Sequence, residues 1–106
     1  MMNDAEMAEE WAEFVVRYYG ADKQKIVCLE EMGELTQAIT KDLRGTPNYA
    51  NLAEEIGDVL LTIEQLIVMY RDASGENFRR RIINSISDKM VRTIRQINVE
   101  REGRTK

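Results

Sequence analysis

Two short acidic motifs constrain the fold of this chain more than any other feature. Residues 30–35 read Glu-Glu-Met-Gly-Glu-Leu, and residues 54–59, 24 positions later, read Glu-Glu-Ile-Gly-Asp-Val. Between them lies Arg44-Gly45-Thr46-Pro47. Glycine suits the residue just after a helix, threonine suits an N-cap, and proline suits the first helical position. The sequence therefore predicts two helices joined by a turn, with one acidic motif in each helix.

The spacing predicts that four carboxylates converge. Glu31 and Asp58 are equidistant from position 44.5 in the turn, and so are Glu34 and Glu55. In an antiparallel helical hairpin, equidistant residues lie at the same height. Residues three apart in one helix share a face, with Cβ atoms about 5–6 Å apart. The four side chains are thus expected to form one cluster, and a divalent cation is the simplest reason for such a cluster.

Glu31 fits a purely structural role poorly. At about 100° per residue, it falls within an apolar stripe of its own helix, whereas Glu30 points away from that stripe. An ionised carboxylate on a buried face is costly unless it is paired or coordinated. The stripe consists of Val27, Cys28, Met32, Leu35, Ala38 and Ile39.

Apolar periodicity predicts four helices, at residues 4–19, 22–43, 47–71 and 78–99. Asp22 is the expected N-cap of the second helix, residues 72–77 are expected to form a polar turn with Ser74 as a candidate cap, and residues 102–106 are expected to fray. The mid-helix glycines Gly33 and Gly57 each cost about 1 kcal/mol relative to alanine, and predict close approach of another helix.

The third predicted helix is apolar nearly all round. Between residues 59 and 70 the polar side chains are Thr62, Glu64 and Gln65, so this helix should be buried on more than one side. A chain of 106 residues has room for a single core. We therefore expect an all-α fold in which residues 1–106 form one domain, a four-helix bundle-like unit that assembles into a homo-oligomer.

Composition limits the partners. No apolar run reaches the ~18–20 residues of a membrane span, and the acidic N-terminal residues do not resemble a signal peptide. The lone Cys28 cannot form an internal disulfide. These features predict a cytoplasmic protein without a membrane partner. The formal net charge is −4, and no nucleic-acid-binding motif is recognised, so nucleic acid is not expected as a partner.

Ligand chemistry narrows the choice of metal. The chain has no histidine and one cysteine, which argues against zinc and against the Glu-x-x-His di-iron pattern. Oxygen ligands suit Mg²⁺ or Mn²⁺, and Mg²⁺ is commonly shared with substrate phosphates. Residues 1–78 carry 16 acidic and 6 basic side chains, whereas residues 79–106 carry 3 acidic and 9 basic ones. This asymmetry favours metal-assisted attack on a phosphate ester or anhydride. The alternative is that the basic residues only form the hydrated surface of a helix.

The paired motifs resemble those of the all-α nucleotide pyrophosphohydrolases, specifically the compact MazG-like branch. The resemblance rests on Glu31-x-x-Glu34, a spacer of 20 residues and Glu55-x-x-Asp58, within the longer matching strings 29–35 and 54–60. Lys89-x-x-Arg92 is similar to a basic pair late in that family's last helix. The resemblance covers about residues 22–95.

This resemblance implies an enzyme that hydrolyses a nucleoside triphosphate to the monophosphate and pyrophosphate, using Mg²⁺ or alternatively Mn²⁺. Glu31, Glu34, Glu55 and Asp58 would be the catalytic residues and would hold the metal or metals. Water would attack the α-phosphorus, with one of the glutamates taking its proton.

The resemblance also implies substrate-binding residues and an assembly. Lys89 and Arg92, with Lys25 or Arg81, would bind the leaving phosphates. Asn84 would contact the sugar or base. Members of the family form homodimers or homotetramers.

The resemblance is compatible with substrates that range from non-standard nucleotides to dNTPs in general. Trp11 and Tyr49 are the candidates for a base contact, although Trp11 is more readily interpreted as a core residue. A phosphoribosyl-ATP pyrophosphatase-like activity is one alternative. The other is a non-catalytic helical interaction module.

Overall fold

A computed structural model describes residues 1–75 and 77–105 and consists of helices without strands over those residues. The helices are α1 (Asp4–Tyr19), α2 (Ala21–Leu43), α3 (Tyr49–Ser74) and α4 (Phe78–Thr105). The chain divides into two compact units, Met1–Ala73 and the residues from Ser74 onward. The predicted all-α fold with four helices is confirmed. Over the described residues, none of the helices combines the length and apolarity that a membrane span requires.

The first helix begins at a reciprocal cap that the sequence analysis did not identify. Asn3 Oδ1 accepts a hydrogen bond from the Glu6 amide at 2.8 Å, and the Glu6 carboxylate accepts one from the Asn3 amide at 3.3 Å. Only Gly20, with φ of 91°, separates α1 from α2. Gly20 also occupies the N-cap of α2, so the prediction of Asp22 as that cap is wrong. Asp22 instead lies in the first turn, where its charge interacts favourably with the helix dipole.

The turn between α2 and α3 is closed by a Schellman motif. Gly45, with φ of 90°, donates its amide to the Asp42 carbonyl at 2.9 Å, and the Thr46 amide donates to the Lys41 carbonyl at 3.1 Å. The Thr46 hydroxyl also donates to Lys41 at 3.1 Å. Thr46 therefore caps the end of α2. The sequence had predicted that it would cap the start of α3.

The start of α3 is capped by Asn48. Its Oδ1 accepts a hydrogen bond from the Asn51 amide at 3.1 Å, which satisfies one of the first amides of the helix. For this reason α3 begins at Tyr49, and Pro47 precedes the helix instead of opening it.

The register of α2 against α3 is set by two buried contacts. Gln24 Nε2 donates to Gln65 Oε1 at 2.7 Å, and Cys28 Sγ donates to the Thr62 carbonyl oxygen at 3.7 Å. Gln24 and Gln65 are equidistant from position 44.5, so the antiparallel register predicted from the acidic motifs is confirmed. The buried apolar residues of the described chain are Ala12, Cys28, Ala38, Ile67, Val68 and Met69.

The buried face of α3 includes polar residues. Thr62 and Gln65 are buried, whereas the apolar residues Ile56, Leu60 and Ile63 are exposed. A helix that is apolar on nearly all sides gives no periodic signal of which side packs on its neighbour. Contacts with α2 select the buried face, and Ile56, Leu60 and Ile63 are left at the surface of the single chain.

A charged contact joins α1 to α3. Arg71 donates to Glu9 at 3.0 Å and to Glu13 at 3.3 Å, and to its neighbour Asp72 at 3.2 Å. Arg71 is half-buried, so these bonds are less exposed to water than most surface ion pairs. They hold the first helix against the hairpin.

Two helices extend further than predicted. The third continues through Ser74, so residues 72–74 are helical, and it is Asn77 Oδ1 that accepts a hydrogen bond from the Arg80 amide, at 3.3 Å, at the start of α4. The fourth continues through Thr105, which includes the described part of the segment 102–106 that was expected to fray; Lys106 lies outside the described residues. Gln96 Nε2 donates to Glu100 Oε1 at 3.2 Å one turn later, which supports the helix near its predicted end.

The mid-helix glycines are not sites of close packing in the described residues. A Cβ atom added at Gly33 or Gly57 would meet no described atom within 4 Å. The predicted close approach of another helix is therefore absent from the single chain as described.

Candidate metal centre and adjoining cavity

Three carboxylates converge where α2 and α3 face each other. Glu31 and Glu34 from α2 and Glu55 from α3 each offer one oxygen, and these oxygens all lie within 4.8 Å of one another. Glu31 and Glu55 are half-buried, while Glu34 is exposed. The antiparallel register produces this convergence, because it sets Glu34 level with Glu55 across the hairpin. Glu30, the other half of the doublet, is exposed, as its position on the helix predicted.

The fourth predicted carboxylate, Asp58, lies at the side of this group. Its charge raises the pKa of the Glu31 carboxyl group, and both residues line one cavity. It is not one of the three residues whose oxygens meet within 4.8 Å. The structure thus joins three of the predicted ligands and places the fourth beside Glu31.

Electrostatic repulsion is concentrated in this group. Burial raises the pKa of Glu31, and the charges of Glu34, Asp58 and Glu55 raise it further. Burial likewise raises the pKa of Glu55, as do the charges of Glu34 and Asp58. Like charges held together with little water disfavour ionisation of each group. Without a cation, ionisation of Glu31 and Glu55 is therefore disfavoured.

The donor set fits a hard divalent cation. Glu31 Oε2 and Glu55 Oε2 are buried, and neither has a hydrogen-bond partner within the described residues. A buried carboxylate oxygen without a partner is unfavourable, and a cation would offset that cost at both atoms. Since every donor is a carboxylate oxygen, the group suits Mg²⁺ or Mn²⁺ better than a metal that prefers nitrogen or sulfur.

The predicted phosphate-binding residues of the last helix lie in the second unit. Arg81, Asn84 and Arg92 line one open surface of α4, and Lys89 is not among the lining residues. Arg92 Nε donates to the Asp88 carbonyl at 3.4 Å, within the same helix. Arg81, Asn84 and Arg92 therefore share one surface, as binding of a common ligand would require.

Lys25 is not brought to the carboxylates. Its ammonium group lies over the Tyr70 ring, 5.0 Å from the ring centroid. Lys25 also precedes Glu31 by six residues, which places it about 120° around α2 from that side chain. The cation–π contact accounts for its position.

A cavity of about 250 Å³ adjoins the carboxylates. Trp11, Gln24 and Gln65 line it together with Glu31 and Asp58. Trp11 was interpreted as a core residue but is 41% exposed, and Tyr49, the other candidate for a base contact, is exposed at the start of α3.

The two glutamines were missed in the sequence analysis, although the sequence contained a signal for them. Gln24 lies seven residues before Glu31 and Gln65 lies seven residues after Asp58. Seven residues are close to two helical turns, so both glutamines share the face of the carboxylates.

Fold and site together define an all-helical protein with an acidic candidate metal site inside an antiparallel helical hairpin. A family model for the MazG nucleotide pyrophosphohydrolase domain matches residues 20–97, most of the chain. The chain belongs to this family, which confirms the resemblance drawn from the acidic motifs. Searches among curated proteins and among solved structures gave no match.

Proposed function

We propose that this protein hydrolyses a nucleoside triphosphate to the monophosphate and pyrophosphate in a reaction that depends on Mg²⁺, with Mn²⁺ as the alternative ion. One observation carries the proposal: a buried oxygen of Glu31 and one of Glu55, neither with a hydrogen-bond partner among the described residues, lie inside a group of three carboxylates. Membership of the MazG nucleotide pyrophosphohydrolase family supports the reaction class.

Each carboxylate has a role in this proposal. Glu31, Glu34 and Glu55 would hold the cation, and Asp58 would complete the site beside Glu31. A bound Mg²⁺ would supply positive charge to the phosphates and make a nearby water more acidic. One of the glutamates accepts the proton of the attacking water.

Basic side chains of the last helix are proposed to bind the leaving group. Lys89 and Arg92, with Arg81, would neutralise the leaving phosphates, either in the same subunit or in a neighbouring one. Asn84 would contact the sugar or base. Lys25 is the weakest of the proposed contacts because Tyr70 already engages its ammonium group.

The proposal is tested with a panel of common and modified nucleoside triphosphates, including phosphoribosyl-ATP. We expect pyrophosphate release from at least one of them in the presence of Mg²⁺, and loss of that release in EDTA. Turnover of phosphoribosyl-ATP alone would establish the alternative activity. Release of orthophosphate without pyrophosphate would contradict the proposal, and no turnover together with no stabilisation by metal would favour a non-catalytic interaction module.

We also propose that the protein acts as a homodimer or homotetramer. Ile56, Leu60 and Ile63 recur on one side of α3 at helical spacing, and all three are exposed, Leu60 to 66%. Contiguous apolar patches of this kind mark association surfaces. A second copy of the chain is the proposed occupant, since this helix is too apolar for a free surface.

The Leu60→Glu variant is expected to convert the assembly to a smaller species, because a charge would have to be buried in the interface. Size-exclusion chromatography with light scattering measures the change. Gln37→Glu, which also adds a charge at an exposed helical position, serves as the control and should leave the mass unchanged. A wild-type protein that is monomeric at all concentrations tested would contradict the proposed assembly.

A further inference from the structure

The cavity beside the carboxylates is formed by all three helices of the first unit. Trp11 comes from α1, Gln24 and Glu31 from α2, and Asp58, Thr62 and Gln65 from α3. Glu31 belongs both to the wall of the cavity and to the three-carboxylate group. A group inside the cavity would therefore lie directly next to the carboxylates that are proposed to hold the cation.

Charge determines which part of a nucleotide can enter. None of the described residues that line the cavity is basic, and two of them, Glu31 and Asp58, are acidic. A phosphate inside the cavity would find no positive side chain in the described part of the wall and would be repelled by its two carboxylates. The sugar and base carry no charge, so the nucleoside end of the substrate is the part that fits.

The polar groups in the wall match the edge of a base. Gln24 and Gln65 are each 4% exposed, and their side chains are joined by the hydrogen bond at 2.7 Å. This bond uses one N–H and one carbonyl, and leaves the carbonyl of Gln24 and the amino group of Gln65 without another recorded bond among described residues. An amide carbonyl accepts and an amide NH₂ donates, so the pair presents both a free carbonyl acceptor and a free NH₂ donor group. Exchanging O and N in both amides gives the same combination.

The remaining features suit a flat ring. The volume of about 250 Å³ lies below the ~300–1,000 Å³ of pockets that enclose drug-sized ligands, which favours a base over a whole nucleotide. Trp11 adds an aromatic ring, the kind of surface on which bases stack.

We infer that this cavity binds the nucleobase of the substrate, and that the Gln24–Gln65 amide pair sets the preference for one base over others. The inference rests on the proposed nucleotide pyrophosphohydrolase function. It assigns recognition to neutral hydrogen-bonding groups in the first unit, separate from the basic residues proposed to bind phosphates.

Binding is measured through Trp11, the chain's only tryptophan. The probes are the α,β-imido analogues of dATP, dGTP, dCTP, dTTP and dUTP with Mg²⁺, and pyrophosphate as a probe without a base. We expect at least one analogue to change the tryptophan emission saturably, while pyrophosphate leaves it unchanged. The inference is overturned if no analogue changes the emission, or if pyrophosphate changes it as much as the analogues do.

The role of the amide pair is tested with the double variant Gln24→Leu/Gln65→Leu. Replacing both partners by apolar groups of similar size leaves no unpaired amide and preserves packing better than one replacement. The ratio of apparent affinities between the best and the worst analogue should fall at least about tenfold, since buried polar groups are strong discriminators. Gln37→Leu, an exposed glutamine of the same helix, should keep the wild-type ratio.

The experiments distinguish a failure of the base-recognition inference from a failure of the proposed pyrophosphohydrolase function. An unchanged ratio in the double variant, or a wild-type protein without base preference, overturns the role of the amide pair even if pyrophosphate release is intact. Absence of pyrophosphate release from every nucleotide defeats the proposed function. The fluorescence titration needs no turnover and still decides whether a base enters the cavity.

Discussion

The Glu31→Gln and Glu55→Gln variants are expected to lose at least about a hundredfold in kcat/KM for pyrophosphate release. Each substitution keeps the size of the side chain and removes one negative charge from the three-carboxylate group. Loss of a single group that stabilises charge at a reacting centre typically costs ~10²–10³ in rate. Initial rates across a range of Mg²⁺ concentrations measure the loss. They also separate weakened metal binding, which excess Mg²⁺ restores, from a slower reaction at saturating Mg²⁺.

The repeated motifs contain matched controls for this experiment. Glu30 and Glu54 each precede one of the tested residues and are exposed, so Glu30→Gln and Glu54→Gln make the same change in net charge outside the group. Both control variants should stay within about threefold of the wild-type kcat/KM, as expected for surface charges. Equal losses in the control and test variants would show that net charge, rather than the clustered carboxylates, supports the reaction.

The carboxylate site could be predicted from the sequence because its geometry follows from the number of residues that separate each acidic residue from the turn. A turn at position 44.5 and two antiparallel helices fix which residues are level, and Gln24 bonded to Gln65 confirms that register. Glu31 was identifiable because an acidic residue in an apolar stripe conflicts with its surroundings. The structure places Glu31 Oε2 in a buried position without a hydrogen-bond partner among described residues.

What could not be predicted depends on packing between helices. The apolar circumference of α3 did not show that Thr62 and Gln65 would be buried while Leu60 stays exposed. Thr46 suits an N-cap by residue type, but Gly45 at positive φ brings its amide and hydroxyl to the end of α2 instead. Trp11 of α1 forms part of the cavity wall. The cavity could not be predicted because no pattern in the sequence shows how α1 packs against the other two helices.

The same carboxylates that define the candidate site oppose folding when no cation is bound. Burial, followed by the charges of Glu34, Asp58 and Glu55, raises the pKa of Glu31 above its ordinary value. A carboxyl group with a raised native pKa contributes stability that is complete below about pH 4.3, where the unfolded group is also protonated, and loses it as the pH rises through the native pKa. The metal-free protein should therefore lose stability between weakly acidic and neutral pH.

The Glu31→Gln variant is expected to be more stable than the wild type without metal at neutral pH and to gain far less from Mg²⁺. Glutamine removes the repulsion, so the metal-free Tm should rise and its decline toward neutral pH should flatten. In the wild type, Mg²⁺ at about a hundred times its Kd adds about 2.7 kcal/mol, a rise in Tm on the order of 10 °C for a chain of this size.

Thermal unfolding of the wild type, Glu31→Gln and Glu30→Gln, each with EDTA and with Mg²⁺, measures both effects. Glu30→Gln should behave as the wild type in both conditions, because Glu30 lies outside the group of three carboxylates. A metal-free Glu31→Gln protein that is less stable than the wild type would show that the Glu31 carboxylate supports the fold by a contact of its own. A full Mg²⁺-dependent rise in Tm in that variant would place the ion elsewhere and remove the basis for the proposed metal centre.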